Sequence, residues 1–378
     1  MALITYLTTI QFDFGAVGCL ESELPRLGIG RPLVVTDRGV VAAGLLERVR
    51  AALPGNMPVA VYDGTPENPT ERAVRDALAL YRAEGCDGLI ALGGGSAIDL
   101  AKAVGVLVHH PEPLSQYMAV LGGSPRITSH VAPLVAIPTT AGTGSEVGRG
   151  AVIVLDDGRK LAMLSPNLLP KLAVCDPELT LGLPPVLTAG TGMDAIAHCI
   201  ETFLAPAVNP PAEAIALDGL ERAIAHIERA VRDGQDREAR WQMMMAAMEG
   251  AMAFQKGLGA VHALSHPLGG LPGHRLHHGT LNAIFLPAVL RFNQPAAGEA
   301  KYVRLRRAMG LAEATDIAAF IEDLVARLGL PTRLQALGVP QEVLPGIAAA
   351  ALRDHCHLTN PRQASEADYR ALLEEAWA

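Results

Sequence analysis

Residues 88–109, GLIALGGGSAIDLAKAVGVLVH, join a short apolar run to a helical pattern through three consecutive glycines. The run 88–92 is typical of a buried strand, and the pattern over 97–109 is typical of a helix. A turn without Cβ atoms lets the backbone approach an anion, and the free N–H groups of the following helix attract negative charge. Ser96 is a favoured cap for that helix. The stretch predicts a strand–turn–helix unit; on the glycines alone, phosphate binding and a plain tight turn explain it equally well.

The same alternation continues on both sides of this unit. Short apolar runs at 32–36 and 59–62 alternate with helical patterns at 39–53 and 69–84. The stretch 151–164 has the form of a β-hairpin, because two strand-like runs flank an Asp-Asp-Gly turn. Strands of the buried type that alternate with helices are typical of a parallel α/β sheet.

After about residue 183 the strand-like runs cease, and helical segments rich in Ala, Leu, Glu and Arg continue to the end of the chain. We therefore predict two domains of different class. Residues 1–180 form a Rossmann-like, dinucleotide-binding α/β domain, and residues 181–378 form an all-helical domain.

The composition excludes several classes of protein. Half of the 378 residues are hydrophobic, and 31 basic against 39 acidic side chains give a net charge of −8. Because an acidic chain without a basic cluster lacks the footprint that phosphate backbones require, we expect no nucleic-acid partner. Five scattered cysteines without C-x-x-C spacing fit a reducing compartment. The N-terminus lacks the basic region of a signal peptide, and no run of about 18 apolar residues occurs, so we expect a cytoplasmic protein with no membrane partner.

A second loop is rich in hydrogen-bond donors. Residues 138–146, PTTAGTGSE, follow the apolar run 133–137 and combine hydroxyl side chains with two glycines. Such a loop can be merely solvated, but two donor-rich loops after two neighbouring strands favour a cradle for a pyrophosphate and a nicotinamide. The usual dinucleotide fingerprint has its acidic residue downstream of the glycines. Here the acid that ends a strand, Asp37, lies far upstream, so a dinucleotide would require a different strand order.

Acidic and imidazole side chains recur in the helical half. Asp194 and His198 are one turn apart on a predicted helix, so they project from the same face. A single pair of this kind is more often a cap and a core histidine. Further imidazoles follow at His262, His266, His274, His277 and His278. One aspartate and three histidines with an open position suit Fe²⁺ or Zn²⁺ better than Ca²⁺ or Mg²⁺, so the pattern predicts a metal site.

A series of motifs, in this order, resembles the iron-containing (group III) alcohol dehydrogenases. The motifs are GGGSAIDLAKA (93–103), PTTAGTGSEVGR (138–149), CDP (175–177), GMDAIAHCIE (192–201), GAVHALSHPLGG (259–270), HHGTLNA (277–283) and TNPR (359–362). The resemblance extends over nearly the whole chain, from about residue 12 to 370. It implies the fold shared with dehydroquinate synthase and glycerol dehydrogenase, in which the active site lies in a cleft between a nucleotide domain and a helical metal domain.

The resemblance also implies roles for individual residues. The implied activity is that of an alcohol dehydrogenase or aldehyde reductase with Fe²⁺, or alternatively Zn²⁺, and we expect a homodimer. The implied metal ligands are Asp194, His198, His262 and His278. The implied cofactor residues are Asp37 at the adenosine ribose, Lys160 at the nicotinamide ribose, and the loop residues Gly94, Gly95, Ser96, Thr139, Thr140 and Thr143. A carboxylate at Asp37 favours NAD over NADP because it repels a 2′-phosphate, although Arg38 could bind that phosphate instead.

His266 is the first candidate for a proton relay, and His277 is the second. By the resemblance, His266 lies close to the metal without binding it, and an imidazole is suited to transfer a proton near neutral pH. Because Pro267 disfavours the helical conformation at the residue before it, we expect an irregular segment that turns the ring of His266 towards the substrate.

The stretch 267–277 departs from the family pattern, because it is longer and more basic, with extra imidazoles at His274 and His277. His277 and His278 therefore remain alternative ligands. Together with Arg275, the extra imidazoles indicate a small polar or carboxylate-bearing alcohol or carbonyl as substrate. Two alternatives stay open: an oxo-acid reductase resembling maleylacetate reductase, and a lyase resembling dehydroquinate synthase, for which we find no set of basic residues in the helical half.

Overall fold

A computed structural model describes residues 9–271 and 273–378. The chain forms two compact units, an α/β unit that runs to Thr140 and resumes over Ser145–Gly182, and a helical unit that contains Ala141–Gly144 and Leu183–Ala378. Four residues of the donor-rich loop thus belong with the helices, which the predicted boundary near residue 180 does not anticipate. Much of the N-terminal stretch without signal-peptide features lies outside the described residues. In the described part of the chain, no helix has the length and apolar character to cross a membrane, and the cysteines are free.

The α/β unit contains eight strands and five α-helices among its described residues. The strands are β1 (Ile10–Phe12), β2 (Pro32–Val35), β3 (Ala60–Tyr62), β4 (Gly88–Gly93), β5 (Leu134–Pro138), β6 (Gly150–Val154), β7 (Lys160–Leu164) and β8 (Leu172–Cys175). The helices are α1 (Leu20–Arg26), α2 (Arg38–Ala42), α3 (Leu45–Ala51), α4 (Glu71–Ala83) and α5 (Gly95–Leu107).

Six strands form one parallel sheet in the order β1-β8-β5-β4-β2-β3, which confirms the predicted fold class. Successive side chains of β4 alternate between its two faces. Leu89 and Ala91 join the core that α4 and α5 cover, whereas Ile90 and Leu92 join the core that α1 and α3 cover. Both faces are buried, so the strand reads as a continuous apolar run. β6 and β7 pair antiparallel, in the predicted hairpin.

The strand order explains why the usual dinucleotide fingerprint is absent. β2 pairs with β4, so Asp37 at the end of β2 lies beside the glycine turn at the end of β4. A Cβ added to Gly93 would lie 2.9 Å from the Cβ of Ala97 and 3.5 Å from Asp37 Oδ2. Gly93 also has φ +155°, where other residues are strained. The chain order reverses between β2 and β4, and ligands of open α/β sheets bind at such a point.

Two local predictions are wrong. The helix predicted over 39–53 is broken at Gly44, whose φ of +75° is left-handed, so α2 and α3 are separate. The helix after the glycine turn begins at Gly95 with Gly94 as its cap, so Ser96 is already inside it. The Ser96 hydroxyl instead donates a hydrogen bond to the carbonyl of Glu67.

A buried lysine anchors the chain that follows the donor-rich loop. The ammonium group of Lys102, on α5, donates to the carbonyl oxygens of Ser145, Gly148 and Gly150 at 2.7–2.8 Å, and to the Ser145 hydroxyl at 2.9 Å. Asp99, one turn earlier, accepts from the Ser145 hydroxyl at 2.6 Å. Burial lowers the pKa of Lys102 to about 8, despite the nearby carboxylate of Asp99.

The helical unit contains nine α-helices among its described residues and is consistent with the predicted loss of strands after residue 183. They are α6 (Pro185–Leu204), α7 (Pro210–Arg232), α8 (Arg237–Met252), α9 (Ala260–Gly269), α10 (His278–Ala297), α11 (Glu299–Ala308), α12 (Ile317–Arg327), α13 (Leu344–Ala351) and α14 (Glu366–Trp377). α6 is buried over 188–204 and packs against α7, α8 and α10. α10 approaches it closely, since a Cβ on Gly279 would lie 2.0 Å from the carbonyl oxygen of Gly190.

Replacing Lys102 by methionine should destabilise the protein by about 3–5 kcal/mol, because Asp99 and the backbone carbonyls would stay buried without their cation. Urea unfolding measures this change. The matched control is Lys171→Met, at an exposed lysine, which should stay within about 0.5 kcal/mol of the parent protein. Equal unfolding midpoints for the two variants would contradict the anchoring role.

Candidate active site

Three helices bring the four predicted metal ligands together. α6 supplies Asp194 and His198, α9 supplies His262, and α10 begins at His278. Asp194 Oδ1 lies 3.3, 3.7 and 3.8 Å from the Nε2 atoms of His198, His262 and His278, respectively. The first three side chains are almost fully buried, whereas the His278 side chain is 25% exposed. The cluster is therefore open to solvent on the His278 side.

The donor set fits a divalent transition-metal ion. Ligand atoms about 2.0–2.2 Å from such an ion stand about 3–3.6 Å from one another, within a few tenths of an ångström of the three distances from Asp194 Oδ1. The donor atoms of Asp194, His262 and His278 all lie within 4.8 Å of one another, and His198 adjoins this group through Asp194. The amide nitrogen of Asn282 lies 2.7 Å from Asp194 Oδ1 and 3.2 Å from Nε2 of both His262 and His278. An amide has only two hydrogens for these three atoms. Convergence of a carboxylate oxygen and imidazole nitrogens on one point is what a cation requires.

The electrostatics of the cluster also favour a cation. Burial would raise the pKa of Asp194, but the neighbouring imidazoles hold it well below its ordinary value. Burial lowers the pKa of His198 to about 4 despite the Asp194 carboxylate. Burial also disfavours a charged His262, but hydrogen bonds to Asp194 and Glu201 raise its pKa to about 9. The carboxylates thus hold a positive charge at this place, and a metal ion can replace the proton.

The Nδ1 atoms of His198 and His262, on the side of each ring away from Asp194, each contact a hydrogen-bond acceptor. His198 Nδ1 lies 3.2 Å from the carbonyl oxygen of Gly142, and His262 Nδ1 lies 2.5 Å from Glu201 Oε2. Such outer contacts set the ring orientation and direct Nε2 towards a metal. The sequence reasoning missed Glu201 and Asn282. Both follow a predicted ligand at helical spacing, since Glu201 is three residues after His198 and Asn282 is four residues after His278.

The two adjacent histidines that precede Gly279 have different surroundings. His278 belongs to the group whose donor atoms surround Asp194. His277 is the cap of α10, where its Nδ1 accepts a 3.3 Å hydrogen bond from the backbone N–H of Thr280. Its ring also fills the space beside Gly190, since a Cβ there would lie 2.7 Å from the ring. His277 therefore caps the start of α10, and these contacts hold its ring in place.

His266, the first candidate for the relay, lies beside the donor set and contacts a carboxylate. Its ring centroid is 5.7 Å from that of His262 and 5.5 Å from that of His278. His266 Nδ1 lies 2.9 Å from Asp354 Oδ2. The irregular segment expected before Pro267 is absent, because α9 continues through Pro267 to Gly269. Contact with Asp354, a residue that the sequence reasoning missed and that no local pattern indicates, orients the ring instead.

The predicted cofactor residues of the α/β unit lie along the carboxyl edge of its sheet. Gly94 and Gly95 begin α5, and a Cβ added to Gly94 would lie 3.3 Å from the hydroxyl of Thr140. Thr139 donates its backbone N–H to the carbonyl of Gly93 at 3.0 Å, so the two loops adjoin. The Asp37 carboxylate accepts a 2.9 Å hydrogen bond from the N–H of Val40. These contacts bring backbone donors, hydroxyls and one carboxylate to the place where such sheets bind nucleotides.

Two other predicted cofactor residues have different surroundings. Lys160 Nζ donates a 2.7 Å hydrogen bond to the side chain of Asn68. The segment 67–68 therefore contacts both Lys160 and Ser96, whose hydroxyl bonds the Glu67 carbonyl. Thr143 belongs to the segment Ala141–Gly144 of the helical unit.

Comparisons with known proteins agree with this architecture over nearly the whole chain. A family model described as iron-containing alcohol dehydrogenase matches residues 8–177. A second model, described as the C-terminal part of the Fe-containing alcohol dehydrogenase family, matches residues 188–377.

Individual relatives match over nearly their full length. The chain is 63% identical to a 4-hydroxybutyrate dehydrogenase of Cupriavidus necator, over 100% of both chains. The crystal structure of a 1,3-propanediol oxidoreductase has a TM-score of 0.90 and 34% identity, over 99% of this chain and 100% of that one. A sulfoacetaldehyde reductase from Bifidobacterium kashiwanohense, solved in complex with NAD+, has a TM-score of 0.89 and 26% identity, over 100% of this chain and 98% of that one.

Alanine at each of the two adjacent histidines separates their roles. His278→Ala should abolish or greatly weaken binding of a divalent ion, because one of the donors around Asp194 is lost. His277→Ala should keep the ion and lose about 0.5–2 kcal/mol of stability through the missing helix cap. Elemental analysis after dialysis, with thermal unfolding in parallel, measures both effects. Loss of the ion from His277→Ala alone would reverse the assignment.

Proposed function

The chain belongs to the iron-containing alcohol dehydrogenases, and on that premise we propose that it interconverts 4-hydroxybutyrate and its aldehyde acid with NAD. The observation that carries this proposal is the 63% identity, over the full length of both chains, to a relative named 4-hydroxybutyrate dehydrogenase. The substrate agrees with the small, carboxylate-bearing alcohol expected from the basic stretch 267–277.

We propose Asp194, His198, His262 and His278 as the ligands of an Fe²⁺ ion. A divalent ion held there would supply Lewis acidity to the substrate hydroxyl. The presence of all four ligand-type side chains supports this proposal over a metal-free oxo-acid reductase. For the cofactor we propose the glycine turn, Thr139, Thr140 and Asp37, whose half-buried carboxylate would accept hydrogen bonds from the ribose hydroxyls and so favour NAD over NADP.

His266 is the proposed proton relay of the reaction. The contact between Nδ1 and Asp354 places the ring proton on Nδ1, so Nε2 can accept a proton. Burial would raise the pKa of Asp354, but His266 holds it well below its ordinary value. The resulting carboxylate stabilises the imidazolium that forms.

In the oxidation direction, Nε2 of His266 would take the hydroxyl proton of the substrate. Bound NAD would supply the hydride acceptor for the overall reaction. The products are the aldehyde, NADH and one proton. Because this mechanism needs one relay, the cap residue His277 is not required for it.

Recognition of the carboxylate is assigned to Arg275. It is an exposed residue of the segment that leads into α10, three residues before His278. The Arg275 guanidinium is close in sequence to the proposed metal ligand His278. This proximity suits a substrate whose carboxylate lies a few carbons from the hydroxyl that reacts. A charge-assisted hydrogen bond contributes about 1.5–3 kcal/mol, which corresponds to about 10- to 100-fold in kcat/KM.

The first experiment compares 4-hydroxybutyrate with butane-1,4-diol and butan-1-ol, which lack the carboxylate. NADH formation should give a kcat/KM about 10- to 100-fold higher for the acid, and NADP should be the poorer cofactor. Arg275→Ala should narrow the difference between the acid and the diol and leave kcat/KM for the diol nearly unchanged. Equal use of all three substrates would contradict the proposed hydroxy-acid specificity.

Replacing His266 by alanine tests the relay. The variant should keep its metal and its NAD affinity but lose about 10²- to 10⁴-fold in kcat, with a flattened pH profile. Asp354→Asn should also lower kcat, because the amide no longer stabilises the imidazolium. His226→Ala, a half-buried histidine on α7, serves as the control and should leave kcat unchanged. Loss of the metal from His266→Ala would show instead that His266 is a ligand.

A further inference from the structure

A second cluster of metal-ligating side chains lies beside the first and includes His266. Its other members are Asp354, His355 and Cys356, three consecutive residues before and within the short 3₁₀ helix His355–Thr359. One donor atom from each of the four residues lies within 4.8 Å of the others. None of the roles proposed above uses His355 or Cys356.

The contacts within this second cluster link its four residues, with both imidazoles beside the Asp354 carboxylate. Asp354 Oδ2 lies 2.9 Å from His266 Nδ1, and Asp354 Oδ1 lies 3.5 Å from His355 Nδ1. Cys356 Sγ lies 3.4 Å from His355 Nε2. The rings of His266 and His355 are nearly parallel, at a tilt of 16°, with centroids 5.5 Å apart. The contact with Asp354 is enough to orient His266. That role therefore does not account for the imidazole of His355 and the thiol of Cys356 beside it.

The burial of the second cluster resembles that of a closed metal site with one entry side. Cys356 is 1% exposed. The side chains of His266 and Asp354 are 8% and 10% exposed, and that of His355 is 25% exposed. The histidine that follows in the same 3₁₀ helix, His357, contacts the Tyr369 hydroxyl at 3.0 Å instead. An ion would therefore enter past His355.

We propose that His266, Asp354, His355 and Cys356 form a second metal site, which binds Zn²⁺ and inhibits the enzyme. Two imidazoles, one carboxylate and one thiol are a complete tetrahedral set for zinc, with no position left open. The first cluster has no sulfur donor, so a thiophilic ion distinguishes the two sites. Mg²⁺ and Ca²⁺ prefer oxygen ligands and should bind to neither.

The inhibition follows from the role proposed for His266, and this part of the inference rests on the proposed function. Zinc at Nδ1 of His266 replaces the proton that Asp354 accepts, and it neutralises the Asp354 carboxylate. Zinc bound to both Nδ1 and Asp354 replaces the direct contact that orients the ring, so His266 is no longer positioned to take the hydroxyl proton of the substrate. Zinc in excess of the first site should therefore lower kcat.

Cobalt tests the site independently of any activity. Metal-free protein titrated with Co²⁺ should bind two ions per chain, and the second should produce a near-ultraviolet thiolate-to-cobalt charge-transfer band. Cys356→Ala should lose this band and the second equivalent while it retains the first. His355→Ala should weaken the second site by more than the roughly 10- to 100-fold that loss of an outer contact costs.

Matched variants control for the loss of a thiol or an imidazole. Cys86→Ala, at a half-buried cysteine of the α/β unit, and His357→Ala should keep both equivalents and the band. One equivalent without the band in the parent protein, or a band that persists in Cys356→Ala, would overturn the second site. If the protein binds two ions per chain but zinc does not inhibit the oxidation of 4-hydroxybutyrate, the proposed effect of the second site on His266 is overturned. A protein that binds two ions but does not oxidise 4-hydroxybutyrate would overturn the proposed function and leave the site standing.

Discussion

An ionised and almost fully buried carboxylate dictates the arrangement of the helical unit. Asp194 is 2% exposed, in the middle of a helix that is buried over 188–204. A buried charge is costly unless partners compensate for it. The compensating imidazoles come from α6 itself, α9 and α10, so these helices must pack closely. The contact between Gly190 and Gly279 permits this approach, and it brings the start of α10, with His278, to the carboxylate.

The α/β unit has a different requirement. Its loops must leave hydrogen-bond donors accessible to a ligand, whereas the helical unit surrounds one buried carboxylate with imidazoles. Parallel strands end at one edge, and the chain reverses its order between β2 and β4. Two loops and the capping carboxylate of Asp37 meet there. Each local feature has a second function in the fold: the turn glycines allow α5 to start close to the sheet, and Asp37 caps α2. The proposed nucleotide site in this unit thus uses groups that also complete the hydrogen bonding of the backbone.

Patterns with local spacing were readable from the sequence, whereas contacts across long separations were not. Strand β4 and the pair Asp194 and His198 follow directly from periodicity. Asp354 lies 88 residues from the His266 that it contacts, and neither helical nor strand spacing relates them. α9 continues through Pro267, where the local sequence predicts an irregular segment. Conversely, a single left-handed residue, Gly44, breaks the helical pattern over 39–53. The short strand β1, with only Ile10–Phe12, exists through its pairing with the distant β8.

The anchoring of residues 145–150 by Lys102 has a consequence for how freely this chain can change. Three of the four groups that the ammonium contacts are main-chain oxygens, which are the same whatever side chains the segment carries. Evolutionary drift or laboratory redesign can therefore vary many of those side chains while the backbone path stays in place. The constraint falls on a residue outside the segment, so a library that alters this stretch to change ligand preference should leave position 102 as lysine.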